Sequence, residues 1–146
     1  WMIADILAHP AAEWHAHASH NDADAMRALD NRVATAWSSG EQQTPGMWFQ
    51  MDLGGVEKIS GVMLIAPPDE FPRGIRVSVW NASAHRWQIA AEKTDARADA
   101  EIIFPATPTQ FINLQLVQAA EPAWSIQHVR VYREMEEWMG ASNRNE

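Results

Sequence analysis

The fold is decided by one stretch in the middle of the chain, Ile75-Arg76-Val77-Ser78-Val79-Trp80-Asn81-Ala82-Ser83-Ala84. From Ile75 to Val79 every second residue is apolar and β-branched, which is the pattern of a strand buried on one face. The small and polar residues that follow are typical of a turn. Trp87-Gln88-Ile89 then returns as a second short strand, so the stretch predicts a β-hairpin.

Six further β-rich runs lie on either side of this hairpin; they are Trp14–Ser19, Met47–Leu53, Lys58–Ala66, Ile102–Phe104, Phe111–Val117 and Ile126–Tyr132. Gly54-Gly55 ends one of them, and Pro67-Pro68 ends the next because proline cannot donate to a sheet. A helical turn is predicted at Asp24–Asp30, with Asn21 or Asp22 as its cap. About eight strands at this spacing predict an all-β sandwich or jelly roll rather than an open barrel.

Length and composition predict one domain. A chain of 146 residues can bury a core of its own, and 47 % hydrophobic with 21 % charged residues is typical of a folded domain. We predict a lead-in at residues 1–13, the sandwich at 14–133 and a polar tail at 134–146. Because the chain begins with Trp1 rather than Met, we expect it to be a module of a longer polypeptide.

Composition also argues against several functions. The formal net charge of -8, with no local cluster of Lys or Arg, disfavours nucleic acid and anionic membranes as partners. No apolar run reaches the length of a membrane span, so no membrane insertion is expected. There is no cysteine, and no nucleophile motif or phosphate-binding loop. The neighbours Asp69 and Glu70 would not flank a glycosidic bond as an acid and a base must, so we expect no catalysis.

The order of short motifs along the chain is that of a known family. The motifs are Ala18-Ser19-His20-Asn21, Ala28-Leu29-Asp30-Asn31, Thr35-Ala36-Trp37-Ser38-Ser39, Pro45–Gly54, Ile59-Ser60-Gly61-Val62, Phe71-Pro72-Arg73-Gly74, Trp124-Ser125-Ile126 and Val129-Arg130-Val131-Tyr132. Together they span Trp14 to Tyr132, and in this order they resemble the discoidin, or coagulation factor V/VIII C-type, domain of the galactose-binding-like superfamily.

This resemblance implies an eight-stranded antiparallel jelly-roll β-sandwich whose closest functional relatives are the family 32 carbohydrate-binding modules. It implies a non-catalytic, glycan-targeting module attached to a larger bacterial enzyme or surface protein, located outside the cell, in the periplasm or at the cell surface. Its partners would be a carbohydrate or glycan surface and neighbouring domains. The alternative is a protein-interaction or structural interdomain module without sugar binding, because the loops of this superfamily vary freely on a common scaffold.

Three segments that similar folds bring to one end carry the candidate ligand-binding residues. The first runs from Ser38 to Thr44, the second from Pro67 to Arg73 and the third from Ala119 to Trp124. An aromatic ring can stack on a pyranose while charged groups take paired hydroxyls. The predicted contacts are Glu41, Gln42, Gln43, Asp69, Glu70, Phe71, Arg73 and Trp124. The polar first segment equally suits a flexible solvent loop, and Arg73 equally suits an ion pair with Asp69 or Glu70.

The resemblance further implies a structural calcium near Asp30, Asn31 and Thr35, where similar domains gather carboxylate, hydroxyl and carbonyl oxygens. This sequence departs from the family pattern twice. Asn31 stands where a glycine is usual, and His128 stands where an acidic ligand is expected. The alternative is a turn in which Asp30 accepts backbone N–H groups and Thr35 caps a carbonyl.

Aromatic and imidazole side chains complete the analysis. We predict that Trp37, Trp48 and Trp87 pack in the core, and that Trp80 lies on the surface or faces another domain. The alternation of the first strand places His15 and His17 on one face, which favours a solvated surface over a metal site.

Overall fold

The computed structural model describes residues 4–8, 14–30, 35–94 and 99–134. Within them lie nine strands: β1 Ala4–Ala8, β2 His15–Ala18, β3 Trp37–Gln43, β4 Trp48–Ile65, β5 Ile75–Asn81, β6 Arg86–Lys93, β7 Asp99–Leu116, β8 Ala120–Ile126 and β9 His128–Glu134. A 3₁₀ helix at Asp22–Leu29 follows β2. The all-β prediction and the helical turn are confirmed, whereas residues 135–146 of the predicted tail lie outside the described residues.

The strands β4 and β7 connect the two layers of the sandwich. They run antiparallel along their whole length, but their register breaks between Asp52 and Glu57, where both strands bend. The first half of β4 pairs with β2 and the second half with β9. Each of these long strands thus contributes to both layers and corresponds to two of the predicted strands.

The edges of the layers follow from the remaining pairings. β5 adds to the second half of β7, and β6 adds to β5, which confirms the hairpin with Trp80 opposite Trp87. On the other layer β1 pairs with β9, so part of the segment predicted as a lead-in adds a strand to the sheet. β3 and β8 form a separate two-stranded sheet.

The core fills the space between the layers. Trp37 is fully buried, and its ring centroid lies 5.1 Å from that of Phe49 and 5.1 Å from that of Trp124. Inward residues of both halves of β4, such as Met51 and Leu64, belong to the same cluster. Since aromatic rings of this size dominate core energetics, this cluster fixes where β3 and β8 sit against the larger sheet.

The prediction that three tryptophans pack in the core is confirmed for Trp37 and wrong for Trp87, which is 40 % exposed. The reason is position: β6 is hydrogen-bonded only to β5, at the edge of its layer, and no described element covers it. The indole of Trp87 instead contacts that of Trp80 edge to face, with centroids 5.5 Å apart. Trp48 is half-buried on the outer face of the same layer.

Candidate ligand-binding site at the loop end

The structure brings the three predicted segments together at one end of the sandwich. The backbone N–H of Ser125 donates to the carbonyl of Glu70 at 3.0 Å, which joins β8 to the turn after β4. The N–H of Val117 donates to the carbonyl of Gly74 at 3.0 Å. We call this region, formed by residues 38–47, 66–74 and 117–125, the loop end.

Gln43 is the anchor of the loop end rather than one of its contact residues. Its side chain is only 2 % exposed. Its Nε2 donates to the carbonyl oxygen of Phe71 at 2.9 Å, and its Oε1 accepts the backbone N–H of Arg73 at 3.1 Å. The prediction of Gln43 as a ligand contact is therefore wrong in this structure, because both ends of the amide are already used to hold the neighbouring turn.

The polar run at residues 38–44 is not a flexible loop but mostly strand β3. It pairs with β8 through an irregular register, with shifts between Ser38 and Gln42 and again after Gln42. Ser39 is buried, and its Oγ accepts the N–H of Trp124 at 3.2 Å. The inward-facing side chains of β3 include polar ones that are hydrogen-bonded inside the protein. The sequence of β3 therefore lacks the alternation of apolar and polar residues that predicts a strand. Glu41 and Gln42, in contrast, are exposed, and the side chain of Glu41 is 68 % accessible.

Phe71 and Arg73, both half-buried, lie together at the loop end. The guanidinium carbon of Arg73 lies 3.8 Å from the centroid of the Phe71 ring, a cation–π contact. Nη1 of Arg73 donates to the carbonyl oxygens of Phe71 at 2.7 Å and of Asp69 at 3.3 Å. The guanidinium of Arg73 does not form the predicted alternative, an ion pair with Asp69 or Glu70. Among the described residues, its Nε and Nη2 have no hydrogen-bond acceptor, and both remain available to a ligand.

Three other predicted contacts have different environments. Glu70 is half-buried, and one of its carboxylate oxygens accepts the hydroxyl of Ser125. Trp124 is completely buried against Trp37, so its prediction as a sugar platform is wrong: no face of the indole reaches solvent. Asp69 is exposed on the rim.

The candidate cation site is only partly described. The hydroxyl of Thr35 donates to the carboxylate of Asp30, with Oγ1 at 2.8 and 2.6 Å from its two oxygens. This pairing differs from the predicted alternative, in which Thr35 caps a carbonyl. Asn31 lies outside the described residues. The described residues contain no cluster of three His, Asp or Glu side chains suited to a metal ion.

The histidines of β2 lie on its solvated face, as predicted. His15 and His17 are both exposed. Nδ1 of His17 lies 3.2 Å from Oδ1 of Asp22, which also accepts the N–H of Ala18 at 2.8 Å. This backbone hydrogen bond is the main reason that the pKa of Asp22 is lowered, with a smaller contribution from His17. Asp22 thus holds the start of the 3₁₀ helix against β2.

Comparison with protein families identifies the family of this chain. The profile of the F5/8 type C domain matches residues 11–130. The chain belongs to the F5/8 type C domain family, as the motif order had indicated. A search of curated proteins found no match to the chain. Among the described residues, no helix is long and apolar enough to cross a membrane.

Solved structures share the architecture. The family 32 carbohydrate-binding module of NanJ from Clostridium perfringens, in complex with galactose, is 19 % identical, with a TM-score of 0.73 over 87 % of this chain and 98 % of that one. The chitosan-binding module 1 of a Paenibacillus chitosanase/glucanase is 23 % identical, with a TM-score of 0.73 over 86 % and 98 % of the two chains. Module 2 of that enzyme, in complex with chitotriose, is 24 % identical, with a TM-score of 0.69 over 86 % and 98 %. At these identities the likeness shows a shared fold.

Proposed function

We propose that the chain is a non-catalytic carbohydrate-binding module that holds its glycan at the loop end. The observation that carries this proposal is the stacked pair of Phe71 and Arg73, fixed from below by the buried amide of Gln43. The exposed carboxylates of Glu41 and Asp69 belong to two segments of the same loop end. A sugar ring with hydroxyl groups is recognised by this combination: an aromatic ring, a guanidinium with open donors and carboxylate acceptors.

Each group has a distinct task in this proposal. The exposed part of the Phe71 ring covers a C–H face of the sugar, while Nε and Nη2 of Arg73 donate to a pair of adjacent hydroxyls. The carboxylates accept hydroxyl hydrogens. Because Arg73 already lies on one face of Phe71 and its Nη1 is held by two carbonyls, little side-chain entropy is lost when the glycan binds.

The two neighbouring carboxylates of the loop end suit binding rather than bond cleavage. Glu70, the better shielded of the two neighbouring carboxylates, is hydrogen-bonded to Ser125, while Asp69 is exposed on the rim. The solved structures add support, since they include a module in complex with galactose and a module of a chitosanase/glucanase in complex with chitotriose. We propose a secreted or surface location and attachment to a larger enzyme on the same basis. A shallow site of this kind binds weakly alone and gains strength from such linkage.

The competing interpretation, a protein-interaction module, has one observation in its favour. Trp87 and Ile89 of the edge strand β6 are 40 % and 59 % exposed. However, the surface beside them is not continuously apolar, because Ser78 and Gln115 lie on it. The arrangement of an aromatic ring with Arg73 and carboxylates at the loop end therefore favours the glycan.

A glycan array probed with the domain tests the proposal, followed by calorimetric titration with galactose, N-acetylgalactosamine-β-1,3-galactose and chitotriose. Calorimetry is the suitable readout because no exposed indole lies among the described residues of the loop end. Phe71→Ala is expected to abolish binding at the loop end while the domain stays folded. Ile103→Ala removes an exposed apolar residue of β7 away from the loop end and should bind normally. Normal binding by Phe71→Ala, or the absence of any glycan ligand, would refute the proposal.

A further inference from the structure

The outer face of the layer that contains β4, β7 and β5 carries a second concave surface. It is a depression of about 250 Å³ lined by Trp48, Ser78, Trp87, Asn113 and Gln115. We call it the tryptophan groove. Its volume is below the range of roughly 300–1,000 Å³ that is usual for small-molecule pockets, so it has room for one sugar-sized ring.

The strand register explains why these five side chains meet. Trp48 of β4 is the cross-strand partner of Gln115 of β7, and Asn113 is the partner of Ser78 of β5. Residues alternate between faces along a strand, so these four point outward while their neighbours, such as Leu114, are buried in the core. Trp87 closes the groove from the edge strand. Two indoles thus stand on opposite sides of a floor made of two amides and a hydroxyl.

The floor has hydrogen-bonding capacity that the protein does not use. Nδ2 of Asn113 donates to Oε1 of Gln50 at 3.1 Å, which fixes the orientation of both amides. Within the described part of the chain, the side chains of Ser78 and Gln115 make no hydrogen bond. A half-buried amide and hydroxyl without a protein partner can pair with ligand hydroxyls.

The groove carries no net charge. Arg76, the cross-strand partner of Gln115, forms an ion pair with Glu92, with Nε and Oε2 2.6 Å apart. Each neutralises the other, so neither a phosphate nor a cationic group finds a counter-ion in the groove. An uncharged ligand that has both apolar faces and hydroxyls fits this surface.

We propose that the tryptophan groove is a second glycan subsite, which holds one neutral pyranose ring between Trp48 and Trp87. The indole faces cover the C–H surfaces of the ring, and Gln115, Ser78 and Asn113 bind its hydroxyls. A protein partner would use the apolar area of the edge strand, including Ile89, whereas a sugar ring needs the groove and not that side chain. The subsite does not depend on the loop end, and the two together would let one glycan chain or two branches bind one domain.

The test records the indole N–H signals of the domain by NMR while galactose, cellotetraose or tri-N-acetylchitotriose is added. The Phe71→Ala variant is used, so that the loop end is disabled and the result stands apart from the proposed function. The signals of Trp48 and Trp87, assigned by single Trp→Phe variants, are expected to shift saturably with at least one of the three sugars. Failure of all three sugars to move either signal would overturn the proposal even if the loop end binds glycan.

Further variants separate a sugar subsite from an apolar patch. Trp87→Ala and Gln115→Ala are each expected to weaken binding in the groove about fivefold to tenfold, since each removes one contact of a small ligand. The matched control Ile89→Ala removes an exposed apolar side chain from the same strand and is expected to bind like the parent. Equal losses in Trp87→Ala and Ile89→Ala would overturn the subsite. Gln115→Ala covers the case in which Trp87→Ala disturbs the edge strand.

Discussion

Replacing Gln43 by alanine should both destabilise the domain and remove glycan binding at the loop end. In the variant, the buried N–H of Arg73 loses its acceptor, while the carbonyl of Phe71 keeps the guanidinium of Arg73 at 2.7 Å. One unpaired buried donor costs about 1–3 kcal/mol, and the lost bond to the carbonyl about 0.5–1.5 kcal/mol more. We therefore expect the free energy of unfolding to fall by about 1.5–4.5 kcal/mol.

Urea denaturation followed by tryptophan fluorescence measures this loss. The neighbour Gln42 is the matched control, since it has the same side chain but is exposed on the same strand. Gln42→Ala should change the free energy of unfolding by less than about 0.5 kcal/mol. Equal effects of the two substitutions would refute the assignment of Gln43 as the anchor.

A charge variant at the same position makes the test sharper. In Gln43→Glu, the ionised carboxylate can still accept the N–H of Arg73 but cannot donate to the carbonyl of Phe71. The protonated carboxyl can do both, so folding favours its neutral form and raises its pKa above the ordinary value of about 4.3. Relative to the wild type, this variant should be least stable at neutral pH and recover as the pH falls. A stability difference that does not depend on pH would contradict the bridging geometry.

Three further expectations concern positions outside the two glycan surfaces. Tyr132 is the only tyrosine of the chain. Burial, helped by its hydrogen bond to Glu101, raises its pKa to about 12. Tyrosinate absorbance should therefore titrate near pH 12 in the folded domain and near pH 10 in denaturant. Because the folded state keeps the proton of Tyr132, the free energy of unfolding should fall as the pH rises from about 10 to 12. Glu101→Gln should lower the titration midpoint of Tyr132. A titration midpoint in the folded domain equal to that in denaturant would disprove the burial. A Cβ at Gly61 would lie 2.8 Å from a carbonyl oxygen of β7, so Gly61→Ala should lower the free energy of unfolding in urea by about 1–3 kcal/mol. A Cβ at Gly55 would meet open space, so the control Gly55→Ala should lower it by less than about 0.5 kcal/mol. Similar losses in the two variants would contradict the close strand contact at Gly61. If the predicted calcium is held at Asp30, millimolar calcium should raise the melting temperature of the wild type and leave that of Asp30→Ala unchanged. An unchanged melting temperature in both proteins would refute the calcium site.

The fold was predictable from the sequence because hydrophobic alternation is a local signal. The hairpin and the predominance of strands follow from runs such as Ile75–Val79, which need no knowledge of distant residues. The joining of predicted strands into β4 and β7 was not predictable, since Gly54 ends a local pattern while the backbone bends and continues from one layer to the other. Strand β3 escaped detection because Ser39 and Gln43 point inward as polar residues and find partners more than 25 positions away in the sequence.

The meeting of the three segments at the loop end was predictable, but the role of each residue was not. The resemblance indicated which segments meet, and Phe71 and Arg73 do lie together there. Whether an indole faces the core or the solvent depends on which layer covers it. For this reason Trp124 is buried and is not a platform for a ligand, whereas Trp87 is exposed and is not a core residue. The tryptophan groove combines side chains of four strands, so no local pattern could have indicated it.

Mapping of backbone amide shifts on the domain during titration with the best glycan from the array tests the central claim most directly. The account predicts that the largest changes fall at residues 69–73 and 41–43, and that the glycan is recovered uncleaved. Largest changes elsewhere on the sandwich with these residues unmoved, or the appearance of cleaved product, would contradict it.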